Sequence, residues 1–244
     1  MTQEDRKDAA VSETLGYILL FAIVTLSIAV IYAIGYPALQ TNMESNIFES
    51  AEQSFIVLQS NIDKVAFDQV PVKVLKIKLQ RSSVSVSNES SMTINYDGNP
   101  PLFVPTGEIV FEKSDKTLTY EMGGVFKAYP PDSNVMVSKP PIYVTADDDV
   151  TVTTIGLISL KGRGYASGKG ITTISLHHDS STMNMSPSIT NVTVQINSKH
   201  ASKWTEYLEN TGFTITNTTS STVSAQKNNT MLILSIHEVD VDIS

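Results

Sequence analysis

Three stretches of this sequence carry residue types that bind metal ions or phosphates: Asp147-Asp148-Asp149, His177-His178-Asp179, and the glycine-rich run Gly162-Arg163-Gly164-Tyr165-Ala166-Ser167-Gly168-Lys169-Gly170. A calcium ion takes about six to eight oxygen ligands from a cage. Three consecutive acids cannot all point into one, so a solvated turn is expected over 147–149. Neighbouring residues of a strand face opposite sides, so His177 and His178 cannot easily share an ion. The expectation there is a strand end entering a turn. The glycine-rich run lacks the GxxxxGK[ST] spacing and the hydroxyl after its lysine, and reads as a flexible hairpin loop. No serine sits in a nucleophile elbow. With no cysteine in the chain, thiolate ligands and cysteine nucleophiles are excluded. The sequence therefore predicts no enzyme, no cofactor and no metal site.

A different chemistry is open to the asparagines. Five Asn-x-Ser/Thr sites occur, at Asn88, Asn184, Asn191, Asn217 and Asn228. Such a site accepts a glycan only where its loop meets a glycosylating compartment. Pro187 weakens Asn184-Met185-Ser186. That leaves Asn88, Asn191, Asn217 and Asn228 as candidate acceptors, with the polar tract 214–230 the richest region.

The elements that position these residues divide the chain unevenly. The 244 residues carry a formal charge of −8 and are 41% hydrophobic. That balance disfavours nucleic acid as a partner, because nucleic acid needs a basic face, and it is too apolar for disorder. After a charged start, Glu4-Asp5-Arg6-Lys7-Asp8, Glu13 is the last charge before Glu44. The intervening run, LGYILLFAIVTLSIAVIYAIGYPAL, supplies the roughly 20 apolar helical residues that cross a bilayer core of about 30 Å. Tyr32 and Tyr36 suit a membrane interface. Ala33-Ile34-Gly35 imitates a signal-peptidase site, but the run is longer than the apolar core of a secretory signal, which is about 7–15 residues.

The string Lys7-Asp8-Ala9-Ala10-Val11-Ser12-Glu13, set against an unbroken apolar helix, resembles the class III (prepilin-type) signal of archaeal type IV pilins and pilin-like surface proteins. The likeness covers about the first 40 residues closely and the rest only in general layout. It implies a leader cut by a membrane prepilin-type peptidase between Ala9 and Ala10. A cut between Asp8 and Ala9 would instead place Glu13 fifth in the mature chain. It further implies that Glu13 pairs with the new N-terminal amine of a neighbouring subunit, the alternative being a carboxylate at headgroup level. The partners it implies are other pilin subunits and the assembly machinery; the apolar run itself implies membrane lipid, and an anchored module that does not polymerise would meet the cell-surface layer.

Beyond Pro37 the apolar residues Met43, Ile47, Ala51, Phe55, Leu58, Ile62 and Val65 recur at helical spacing, with Glu44, Ser45, Glu49, Glu52, Gln59 and Asp63 opposite. This predicts an amphipathic stem that ends before Pro71. From Val72 the period becomes two, and many short Val-, Ile- and Thr-rich runs follow. Among them are 72–80, 82–87, 171–176, 189–196 and 231–241, and a short helix stands at 202–209 with Trp204 anchoring it to a sheet.

The fold class expected is α+β: a long N-terminal helix, its first half transmembrane and its second an amphipathic stem, followed by a β-rich, sandwich-like head. The boundaries are a leader over 1–9, a transmembrane helix over 10–36, a stem over 37–70 and an extracytoplasmic domain over 71–244. The function expected is that of a membrane-anchored surface protein with its C-terminal domain outside the cell, as a minor type IV pilus subunit or surface-adhesion component. The alternative is an anchored binding module that contacts the envelope without polymerising, and the third is a membrane-tethered enzyme.

Overall fold

The computed structural model describes residues 3–130, 133–147 and 150–244, with side chains for 15–130, 133–146 and 150–244. Helix α1 spans Gln3–Ala66 and contains Pro37. The chain divides into two compact units, the first ending at Glu49 and the second beginning at Ser50.

In the first unit every large apolar side chain from Leu15 to Leu39 is exposed. The hydroxyls of this stretch are turned back on the helix. Thr25 Oγ1 donates to Phe21 O at 2.8 Å and Ser27 Oγ to Ile23 O at 2.7 Å. Each hydroxyl so placed meets its hydrogen-bonding need on its own backbone, which leaves the outer surface hydrocarbon. Tyr32 and Tyr36 stack with ring centroids 5.9 Å apart.

In the second unit the end of α1 packs Ala51, Phe55, Leu58, Ile62, Val65 and Ala66 against the sheet, all buried. These are residues of the expected stripe, but the polar face is not wholly solvated. Gln59 is buried too, and its Nε2 donates to Gly123 O at 2.6 Å. An amide can occupy a core-facing position when a buried carbonyl needs a donor.

Twelve strands follow among the described residues: β1 Val72–Ser87, β2 Ser91–Tyr96, β3 Leu102–Pro105, β4 Glu108–Lys113, β5 Lys116–Glu121, β6 Gly124–Tyr129, β7 Ser133–Ser138, β8 Ile142–Asp147, β9 Val150–Arg163, β10 Tyr165–Asn197, β11 Thr214–Thr218 and β12 Thr222–Ile243. Helix α2, Ala201–Thr211, stands between β10 and β11. The strands form one sheet in the order β7-β6-β5-β4-β1-β10-β12-β9-β8, with β2 on β10, β3 on β2 and β11 on β12. Only the β9–β12 pairing is parallel among the described ladders. The architecture is thus α+β, a long apolar helix and then a large mixed sheet carrying one short helix. Runs expected as separate short strands are joined in a single hydrogen-bonded network through β1, β10 and β12.

Strand length accounts for that difference. The runs 72–80 and 82–87 are one strand, β1, with a register shift between Gln80 and Ser82 where Arg81 takes φ 59°. The runs 171–176 and 189–196 are both parts of the 33-residue β10. The segment between them loses apolar alternation because both of its faces are exposed from Thr182 to Met185, yet β12 pairs along it. Pro187 falls at the register shift between Ser186 and Ile189, where a residue without an N–H is tolerated.

The expected hairpin loop over 162–170 is corrected by the same feature. β9 ends at Arg163, β10 begins at Tyr165, and Lys169 already pairs with Gln80 of β1. Glycine at 162 has a local reason: φ is 140°, and an added Cβ would lie 2.0 Å from Val241 O on the parallel neighbour β12. Gly162→Ala is expected to lower unfolding free energy by about 2–4 kcal/mol, combining backbone strain with overpacking. Gly168, also at positive φ but with nothing near its Cβ position, should lose only about 1 kcal/mol on the same change. Urea denaturation of the two variants side by side checks the contrast.

Candidate functional site

Two features stand out chemically. The first is the exposed apolar stretch of α1. The second is a buried polar node in the sheet unit, beside an open cleft.

The node is built where β5 ends and α2 begins. The core here is apolar: Met92, Ile94, Phe126, Ile155, Val192, Val194, Trp204 and Leu208 are buried together. Glu121, the last residue of β5, lies in it with no exposed surface. Its Oε1 accepts from Trp204 Nε1 at 2.6 Å and from Ser198 Oγ at 2.5 Å. Ser198 Oγ in turn accepts the backbone N–H of His200 at 2.9 Å. Glu121 Oε2 is buried without a partner. Burial pushes the Glu121 carboxyl up to about 7, against the two hydrogen bonds that favour its charged form, with Glu108 adding to the rise. A protonated carboxyl suits this geometry. Oε1 then acts as a carbonyl accepting two donors, and the proton sits on Oε2.

His200 closes the turn before α2. It is buried, stacked on Phe126 with centroids 4.7 Å apart, and its Nδ1 faces the Asn134 amide of β7 at 2.8 Å to Nδ2 and 3.1 Å to Oδ1. Burial, with Lys199 beside it, pushes its pKa down to about 3, so the ring is neutral. Lys199 Nζ pairs with the buried Glu108 at 3.0 Å. Asn134 and Lys199 also line a surface cleft of about 480 Å³, together with Asp115, Ala128, Tyr129, Pro130, Ser133 and Ser202.

A second set of groups with raised pKa, hence weakened acidity, lies at the end of α1. Burial, then Asp68, pushes Asp63 up to about 6. Tyr120 is held well above its ordinary range by burial and by Asp63.

The residues singled out from the sequence are scattered. Ala9, Ala10 and Glu13 lie in α1 but outside the residues whose side chains are described, and Asp148 and Asp149 lie outside the described residues altogether. His177 and His178 are not at a strand end but inside β10, His177 exposed and His178 half-buried with its Nδ1 unpartnered. Among the described residues no three metal-binding side chains cluster. Asn88 is exposed just after β1, Asn217 is exposed on β11, and Asn228 is exposed on β12. Asn191 faces Asn228 directly across the β10–β12 ladder, and its Nδ2 donates to Asn228 Oδ1 at 2.5 Å. Asn184 is exposed on β10, its Nδ2 3.2 Å from Tyr96 Oη.

Glu121, His200 and Asn134 were not among the residues singled out. A buried tryptophan usually finds a partner for its N–H, so Trp204 signals a buried acceptor. Nothing in the sequence says that the acceptor is a glutamate beside Gly123-Gly124, where a solvated turn is the ordinary reading.

Fold and site together define an α+β protein whose N-terminal helix is long and apolar enough to cross a membrane or act as a signal sequence, and whose remaining chain is a large mixed sheet. The chain belongs to DUF7289, a family of unknown function whose model matches residues 9–242. It is 31% identical over 104 residues to an uncharacterized protein of Archaeoglobus fulgidus, a match covering 41% of this chain and 34% of that protein. The chain thus aligns with about a third of the length of that relative. No solved structure matches it significantly.

Proposed function

We propose that this chain is a pilin-like, membrane-anchored archaeal surface protein without catalytic activity, acting as a minor type IV pilus subunit or surface-adhesion component. The observation that carries this reading is the stretch Leu15–Leu39, whose large apolar side chains are all exposed and whose hydroxyls at Thr25 and Ser27 are satisfied on their own helix. Water is a poor solvent for such a surface, since burying apolar area gains about 25 cal/mol per Å². Lipid or the apolar helices of neighbouring subunits would cover it. The sheet unit would then lie outside the cell, with Asn88, Asn217 and Asn228 open to glycosylation and the cell-surface layer within reach. A prepilin-type peptidase would release the leader before Ala10 or Ala9, freeing Glu13 for pairing with a neighbouring amine. The match to an archaeal relative supports the setting.

The test is the mature N-terminus. Mass spectrometry of the chain recovered from an archaeal host should find it beginning at Ala10 or Ala9, in membranes that resist carbonate washing. An intact Met1, or a start near Tyr36, sinks the leader. Sheared surface filaments that contain the chain support subunit status, whereas filaments lacking it would leave an anchored module that does not polymerise.

A further inference from the structure

An exposed asparagine is only half of a glycan acceptor. A transferase needs both ends of the Asn-x-Ser/Thr site: the carboxamide nitrogen that is glycosylated, and the hydroxyl two residues on that marks the acceptor. Asn88, Asn217 and Asn228 each expose the carboxamide. The hydroxyl separates them. We propose that folding sorts these sites: Asn217 is the acceptor of the folded sheet unit, whereas Asn88, Asn191 and Asn228 can take a glycan only before it folds. This rests on the reading that the sheet unit lies outside the cell, where a lipid-linked sugar donor would be met.

The hydroxyl of the Asn88 site belongs to Ser90, which is 2% exposed. Its Oγ lies 2.9 Å from Thr106 Oγ1 and donates to Gly107 O at 3.0 Å. The hydroxyl of the Asn228 site belongs to Thr230, which is 3% exposed. Its Oγ1 lies 2.9 Å from Thr153 Oγ1 and 3.0 Å from Thr151 O. Residues two apart on a strand ordinarily share a face. Asn229 breaks that rule with φ 49°, and Asn228 stays in solvent while Thr230 is buried. β12 stands between β10 and β9, so drawing Thr230 out means parting the middle of the sheet. Asn191 fails at the other end of its site. Its Nδ2 donates to Asn228 Oδ1 at 2.5 Å, and its Oδ1 accepts from Thr193 Oγ1 at 3.0 Å. Asn184, already weakened by Pro187, donates to Tyr96 Oη at 3.2 Å.

Asn217 and Thr219 are both exposed. The Asn217 carboxamide has no hydrogen-bond partner among the described residues. Thr219 Oγ1 is tied only within its own turn: it accepts from Thr222 N at 3.0 Å and from Ser221 N at 3.3 Å, and reaches Thr222 O at 3.4 Å. β11 is five residues long, its ladder partner is β12, and its register shifts between Ile215 and Asn217. Thr218 Oγ1 meets Thr205 Oγ1 of α2 at 3.1 Å, an exposed contact. A transferase that draws this segment into its own groove therefore melts one turn at a sheet edge. Local opening of that kind costs far less than opening the core. In the transfer step Asn217 Nδ2 bonds to the anomeric carbon of a lipid-linked glycosyl phosphate. The C–O bond to the phosphate breaks, its electron pair leaves on the phosphate oxygen, and the displaced amide proton passes to a carboxylate base of the transferase.

The experiment uses the unglycosylated full chain in detergent, its fold established by near-ultraviolet circular dichroism of the Trp204 environment. It is incubated with an archaeal oligosaccharyltransferase and its lipid-linked oligosaccharide. Parallel reactions contain short peptides that span the Asn88, Asn191, Asn217 and Asn228 sites. Mass spectrometry follows occupancy at each asparagine. All four peptides should be accepted. On the folded chain Asn217 should be modified within about threefold of its peptide's rate, and the other three should fall about tenfold or more below theirs, because modification of a buried site tracks the small population that is open. Trp204→Ala, which weakens the sheet unit, should raise the rates at Asn88 and Asn228 toward those of their peptides and leave Asn217 unchanged; if this variant unfolds outright, the same result is expected. Slow transfer to Asn217 on the folded chain, or transfer to folded Asn88 or Asn228 at the peptide rate, overturns the proposal. A refused peptide overturns it too, since sequence rather than folding would then set the choice. The reaction needs neither membrane nor leader cleavage, so its failure leaves the anchor intact, and an intact Met1 in the cell leaves this result standing.

Discussion

Glu121→Gln should make the sheet unit more stable at alkaline pH and leave it nearly unchanged at acid pH. Burial raises the Glu121 pKa from the ordinary 4.5 to about 7 in the folded chain. Between these values the folded state holds a proton that the unfolded state has released. Stability therefore falls as pH rises through that window. A shift of this size corresponds to about 3 kcal/mol, at 1.36 kcal/mol per pKa unit. Glutamine keeps an acceptor for Trp204 Nε1 and Ser198 Oγ but cannot ionise. Its stability relative to the parent should thus climb from about zero near pH 4 to about 3 kcal/mol near pH 8.5. Asp63, also raised, to about 6, contributes a slope of the same sign to both proteins and cancels in the difference. Urea titrations across this range check it, and a difference that stays flat with pH would show that folding does not raise the Glu121 pKa.

The second large effect belongs to Trp204. It is the biggest fully buried side chain, packed on Phe126 at 5.6 Å and edge-on to Tyr207 at 6.2 Å between ring centroids. Trp204→Ala should cost about 3–5 kcal/mol, the range for truncating a buried aromatic. It also removes one of two donors from Glu121 Oε1, which should raise the Glu121 pKa further and steepen the loss of stability with rising pH. The two sites share a hydrogen bond, so their effects should not add. In Trp204→Ala/Glu121→Gln the alkaline penalty should largely disappear. Chemical denaturation of the parent, both single variants and the double at two pH values measures that coupling.

These effects show where sequence reading reached and where it stopped. The apolar helix was legible because an unbroken hydrocarbon run leaves few alternatives, and so was the helical spacing of Phe55, Leu58 and Ile62. Alternation placed the cores of β1, β10 and β12 correctly. It did not join them, because Arg81 and the polar stretch around Met183 and Pro187 break the pattern on a strand whose backbone continues. Strand continuity there is maintained by a partner, β10 for β1 and β12 for β10, and a partner is not a local property. Gly162 read as loop punctuation for a similar reason: its crowding comes from Val241, 79 positions away along the sequence. Of the buried node only Trp204 was legible, as an anchor that needs an acceptor. Glu121, Ser198 and His200 meet only after β5 and α2 are docked, and each is an ordinary surface residue until then.

The parallel β9–β12 ladder bears on the order in which the sheet closes. β9 has two ladder partners, β8 and β12, and β12 is the last strand in chain order. While the polypeptide emerges from its N-terminal side, β1 to β7 can pair with near neighbours, but the β8–β9 hairpin has no ladder to join. The sheet stays in two pieces until β12 slots between β10 and β9. Closing contacts over so long a sequence separation is slow. Until β12 arrives, the edge strands β10 and β9 keep their ladder groups open, so the last step of sheet formation is also the step that seals both pieces.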